Sequence, residues 1–218
     1  MSEARDRILA RLRGRGKGHT GRIGRSGATL PRQCPDDLIG AFQRRAEALH
    51  AQVYRVEPTG WTRLLGQLCR EKMLGNLLYG PGGPLGGELR EASRKQQGLP
   101  ELVGFELEIE ICGEQIFFEI EAAITSVRAG VAASGTLVLW PTAEEPRSMS
   151  LVPPMHFAVL DSRSIHATFA DVVEKEGWVS GMPTNALLIS GPSKTADIEQ
   201  TLTHGMHGPT ELVILILT

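Results

Sequence analysis

The chain is poor in cysteine and aromatic residues and has no long apolar run. Cys34, Cys69 and Cys112 are odd in number and far apart. That spacing gives neither a disulfide framework nor a C-x-x-C pair for a metal or for thiol exchange. The expectation is a protein that holds no iron–sulfur cluster, and no other redox cofactor, through its own thiols in a reducing cytoplasm. The N-terminus has no apolar core of a signal peptide, and the longest apolar run falls well short of the ~20 residues of a membrane-spanning helix. A soluble, cytoplasmic chain without a membrane span follows as an expectation. Catalytic signatures are also missing from the segments best placed to carry them. The spacing of Gly191 and Lys194 does not meet the G-x-x-x-x-G-K-[ST] phosphate loop, the glycine loop at 80–87 lacks the G-x-G-x-x-G register, and no serine stands in G-x-S-x-G.

What is present is an ordinary globular composition. Over 218 residues the apolar content is 41%, enough for one large α/β domain. Charge is unevenly placed. Residues 1–32 carry nine basic groups against Glu3 and Asp6, so they bear +7 and the remainder −9 of the net −2. No zinc spacing and no aromatic residue accompanies that basic stretch, which argues against nucleic-acid binding. The first residues, "SEARDRILARLRGRG", read as a short amphipathic helix. The glycine-rich run after them buries too little to offset its ordering entropy. Residues 1–33 are therefore expected to form a basic helix and tether, and 34–218 the folded domain.

From Cys34 onward the pattern alternates. "DLIGAFQRRAEALHA" and "GWTRLLGQLCREKM" have apolar residues at helical spacing, and "QVYRV" and "NLLY" read as strands. "GPGGPLGG", residues 80–87, follows the second strand as a strand-to-helix turn. Glutamates alternate with apolar residues in "FELEIEI" as on a strand with one solvated face. "GTLVLW", "HFAVLD", "NALLIS" and "TELVILIL" read as further strands, and "SIHATFADVVEKEGW" as a helix. This helix–strand rhythm with fully apolar strands predicts an α/β layer fold around a largely parallel sheet.

Candidate chemistry collects late in the chain. After "ALLI", the loop "SGPSKT" offers Ser190, Gly191, Ser193, Lys194 and Thr195 at the start of a predicted helix. Two readings fit: a site for a carboxylate or phosphate on the open backbone amides, or a capped helix with a solvated lysine. The loop is expected to follow a central strand and so to open into a ligand crevice. His204 and His207 in "HGMHGP" are three apart with Gly205 between them, which favours helix capping over a metal site. Arg147 is suited to clamp a carboxylate in bidentate fashion, or else is solvated.

Four ordered pieces, "GTLVL", "RSMSLVPPMHFAVL", "ISGPSKTADIEQ" and "HGMHGP" before a final apolar strand, resemble the LUD-domain family of lactate-utilization proteins. The match is dense over about 123–218 and thinner over 34–122. The resemblance implies a three-layer α/β/α fold with a mixed, mostly parallel sheet, similar to the sugar-phosphate isomerase and coenzyme A transferase group. It implies a part in oxidising L-lactate to pyruvate beside iron–sulfur proteins that carry the clusters. The crevice is then expected to gather Gly135, Thr136, Arg147, Ser190, Gly191, Ser193, Lys194, Thr195 and Gly208 around a small carboxylate or phosphate. His207 would be the proton carrier. The family usually has an acidic residue and threonine where this chain has Ala133 and Ser134. The alternative is a free-standing enzyme or binder of a small phosphorylated or nucleotide-like anion. Whether the chain catalyses alone and whether it forms a homo-oligomer stay open.

Overall fold

The computed structural model describes residues 37–105, 119–178, 180–193 and 208–218. The predicted N-terminal helix and tether, the glutamate-alternating stretch after Phe105, and the helix after Ser193 lie outside these residues.

Among the described residues, six strands form one sheet in the order β1-β10-β7-β4-β2-β3, every pair parallel. They are β1 (Gln52–Val56), β2 (Asn76–Tyr79), β3 (Glu101–Gly104), β4 (Ala122–Ser126), β7 (Met155–Asp161) and β10 (Glu211–Leu217). Leu212 to Ile216 of β10 are all buried. A parallel strand covered on both faces has no solvated side to alternate toward, which is why this segment is apolar throughout.

One face is covered by α2 (Trp61–Glu71) and α3 (Gly86–Arg94). Trp61, Leu65, Leu68 and Leu89 pack there on Leu77, Ile124, Phe157, Val213 and Leu215. The opposite face receives α1 (Leu38–Ala48), whose Phe42 and Ala46 meet Leu160, Leu212 and Ile214, and α4 (Arg147–Leu151), whose Met149 meets Leu78 and Ala123. The Asp37 side chain starts α1 by accepting the Gly40 amide at 2.8 Å.

A second, four-stranded sheet, β8-β5-β6-β9, lies over the α1 face. It comprises β5 (Ala129–Val131), β6 (Thr136–Leu139), β8 (Ile165–His166) and β9 (Leu187–Ile189). β5 pairs antiparallel with β6 and parallel with β8, and β6 pairs antiparallel with β9. Its inner residues Leu137 and Leu139 join the Leu160 cluster, and its outer side packs on Val172 of α5 (Phe169–Lys175) and on Trp178.

The α/β class and the parallel sheet agree with the sequence reading, with three refinements. The antiparallel pairs that make the fold mixed reside in the separate small sheet. The helix expected over 164–178 begins only at Phe169. Ile165 and His166 pair with β5 instead, and Thr168 and Asp171 form a reciprocal capping box that fixes the helix start. The third concerns β9, which is an edge strand of the small sheet and not a central strand of the large one.

Candidate functional site

The register of the small sheet builds the first part of the site. β6 pairs with β9 so that Leu137 faces Ile189, which sets Thr136 beside Ser190. Thr136 Oγ1 lies 2.9 Å from Ser190 Oγ and 2.7 Å from Ser134 Oγ. The result is a chain of three hydroxyls, buried at Thr136 and exposed at Ser190. Hydroxyls both donate and accept, so this row adapts to whichever polar group meets its open end.

Beyond Ser190 the chain crosses the end of α1. A Cβ on Gly191 would stand 2.6 Å from the Leu49 carbonyl oxygen, so only glycine permits that crossing. Ser193 then donates its amide N–H to the Pro209 oxygen at 2.7 Å. Gly208 has φ +150°, and a Cβ there would lie 3.2 Å from Ser193 Cβ. The two glycine-proline corners are thus stitched together. Next to them, the Thr210 amide and hydroxyl both donate to the Pro154 oxygen, at 2.8 and 2.9 Å. This corner sits at the amino ends of β7 and β10.

Gly135 belongs to the same neighbourhood through a structural duty. Its amide donates to Val131 O at 2.9 Å to close the β5–β6 turn, its φ is +68°, and it abuts α1. Lys194, Thr195, His204 and His207 lie outside the described residues.

Arg147 is placed elsewhere. It opens α4 two residues after Glu145, whose Oε2 accepts the Ser126 amide at 3.0 Å and the Ser126 hydroxyl at 2.5 Å. Ser126 ends β4 and pairs with Val159, four residues along β7 from its start. At about 3.3 Å per residue the Ser126–Glu145 pair stands about 17 Å along the sheet from Pro154 in that corner. The structure therefore gathers Gly135, Thr136, Ser190, Gly191, Ser193 and Gly208 at one end, and sets Arg147 with Glu145 at the other.

Glu145 is a residue that sequence reasoning passed over, because "EEPRS" looks like a solvated acidic loop. It is only 8% exposed. Burial pushes its carboxyl above the usual carboxylate range despite the two Ser126 hydrogen bonds. The glycine-rich turn after β2 wraps it. A Cβ on Gly80 would lie 2.3 Å from the Glu144 oxygen, and one on Gly83 would lie 3.0 Å from Glu145 Oε1. The available signal was that turn, placed where a parallel strand ends.

His156 was likewise given no role. It is fully buried on β7, with Nε2 2.8 Å from Thr125 Oγ1 and no partner for Nδ1 among the described residues. Burial drives its pKa down to about 4, which keeps the ring neutral. Cys69 is a buried thiol pushed up to about 12 by the same cause. Among the described residues no helix is long and apolar enough to cross a membrane.

Comparison with known proteins gives consistent relatives. The family model described as LUD domain matches residues 39–217. An uncharacterized protein of Neisseria meningitidis is 40% identical over 171 residues, covering 78% of this chain and 72% of that protein. Lactate utilization protein C of Bacillus subtilis is 28% identical over 200 residues, covering 87% of this chain and 82% of that protein. A solved DUF162 family protein from Deinococcus radiodurans has a TM-score of 0.60 at 16% identity, covering 83% of this chain and 96% of that one. At that identity the likeness speaks for the fold.

Proposed function

The chain belongs to the LUD-domain family, and from that membership we propose that it serves L-lactate utilization in the cytoplasm, as the component without clusters beside iron–sulfur proteins that oxidise lactate to pyruvate. The observation that carries this reading is the similarity to lactate utilization protein C along 82% of that protein's length. Cysteine usage supports the division of labour, since three scattered cysteines cannot ligate a four-thiolate cluster. No side chain accepts a hydride or electrons by itself, so the redox step draws on partner clusters or a cofactor.

The corner at Thr136, Ser190, Gly191, Ser193 and Gly208 is the proposed seat of a small anion. Lys194 and Thr195 supply charge and a further hydroxyl, and His207 is the proposed proton carrier near neutral pH. Deleting the gene is expected to abolish growth on L-lactate as sole carbon source, and the tagged chain is expected to co-purify with iron–sulfur companions from native cells. Undiminished growth of the deletion strain removes the proposal.

A second reading is a free-standing enzyme or binder of a phosphorylated or nucleotide-like anion. The feature in its favour is the stitched glycine-proline corner, with three linked hydroxyls beside it. Under this reading inorganic phosphate alone raises the melting temperature of the isolated chain.

A further inference from the structure

Outside the hydroxyl corner, the Glu145 carboxyl is a buried ionisable group with no assigned task. It lies at a particular place in the sheet. Strands β2 and β4 are neighbours, yet the chain leaves β2 through α3 on one face toward β3, and leaves β4 through β5, β6 and α4 on the other face toward β7. Neighbouring strands whose connections part in this way open a crevice outside their carboxyl ends, the usual ligand position of open α/β sheets. Tyr79 ends β2, Ser126 ends β4, and Glu145 stands at that edge, bonded to Ser126 and next to the Gly80 turn that leaves β2.

Packing alone does not call for a carboxylate there. The two Ser126 donors need one acceptor oxygen, which an amide side chain supplies without the cost of burying a charge. Glu145 Oε1 is left over, with no hydrogen-bond partner among the described residues. Glycines at 80, 82 and 83 let the main chain of that loop pack directly against Glu144 and Glu145 with no side chain between. Arg147, two residues further on, is exposed and pairs with no carboxylate among the described residues.

We propose that this crevice at the carboxyl ends of β2 and β4 binds a small 2-hydroxy carboxylate, with Arg147 holding the ligand's carboxylate and Glu145 Oε1 accepting a hydrogen bond from its hydroxyl. Such a ligand carries an acceptor pair and a donor on adjacent carbons. A guanidinium only donates and an ionised carboxylate only accepts, so the two residues complement it in that order. An acid without the hydroxyl leaves Oε1 unpaired and binds more weakly. The choice of a hydroxy acid rests on the lactate reading above, and the site is separate from the hydroxyl corner.

The test is calorimetric titration of the purified full chain with L-lactate and with propionate, which keeps the carboxylate and carbon skeleton but lacks the hydroxyl. Lactate is expected to bind about tenfold or more tightly than propionate, the size of effect from one charge-assisted hydrogen bond. In Glu145→Gln the amide oxygen stays with Ser126 and its NH2 replaces Oε1, so the preference is expected to fall to about twofold or less. Arg147→Ala, at an exposed position that leaves the fold intact, is expected to weaken both acids about tenfold or more. A lactate preference unchanged in Glu145→Gln, equal binding of both acids by the parent chain, or Arg147→Ala with undiminished affinity overturns the proposal. A deletion strain that still grows on L-lactate, together with the expected titrations, removes the lactate-utilization reading and keeps the site. Loss of growth together with failed titrations does the reverse.

Discussion

Gly135 is pressed against Ala46 so closely that a Cβ added to the glycine would lie 2.5 Å from the Ala46 amide nitrogen. The contact locks the β5–β6 turn onto α1, and Arg45 reinforces it by donating to the Ala132 oxygen at 2.8 Å. With φ at +68°, the position combines a backbone region that side chains avoid with a close approach of two main chains. The family motif "GTLVL" thus begins with a residue whose necessity is steric.

Gly135→Ala is accordingly expected to destabilise the protein by about 3 kcal/mol, the sum of left-handed backbone strain and overpacking. Urea unfolding followed by circular dichroism measures this. Gly181→Ala, where a Cβ meets nothing within 4 Å, should shift stability by less than ~1 kcal/mol. Equal effects at the two positions would show that the α1 contact is slack.

Acid sensitivity is expected from His156. Its folded pKa of about 4 lies below the ordinary 6.5, so between these values the unfolded chain binds a proton that the native ring refuses. The stability at stake is fully present above pH 6.5 and drains as pH falls toward 4, by up to about 3 kcal/mol. Unfolding free energies measured across pH 4–7 should show this slope, and His156→Leu should flatten it. An unchanged slope in the variant assigns the acid loss to other groups.

Glu145 has the opposite sign. Its folded carboxyl is raised above its ordinary value by burial, so the native state holds its proton longer than the unfolded chain does. The favourable contribution is present below the unfolded pKa and is lost as pH rises through the folded one. Glu145→Gln should therefore be at least as stable as the parent near pH 7, with the advantage shrinking toward pH 4. A melting-temperature series for both proteins decides it. Lower stability of the variant at neutral pH would mean that the charge, not the crevice, holds this region together.

Much of the architecture was legible because it depends on local pattern. The segment Leu212–Ile216 is apolar at every position and lies between two parallel neighbours, buried on both faces. Leu65, Leu68 and Cys69 have helical spacing and do face the sheet. Thr168 was missed as a helix start because Ile165 and His166, apolar and polar in turn, fit a helix as well as a two-residue strand. Which one forms is decided by pairing with Gly130 and Val131, remote in sequence.

The site divided along the same line. Ser190, Gly191, Ser193 and Gly208 could be read as turn-forming and polar, and the structure adds that Ser193 meets Pro209. Arg147 reads as an anion clamp in any context. Its distance from that corner follows from the path of β7 and α4, which no short-range pattern encodes.

Composition and periodicity by themselves determined an α/β chain, because hydrophobic spacing is a property of neighbouring residues. Only the tertiary structure decided that Glu145 is buried at the parting of β2 and β4, and that one row of predicted ligand-binding residues occupies two ends of the sheet. Both facts arise from strand order, and strand order is set by burial of surfaces that meet only when distant segments pack.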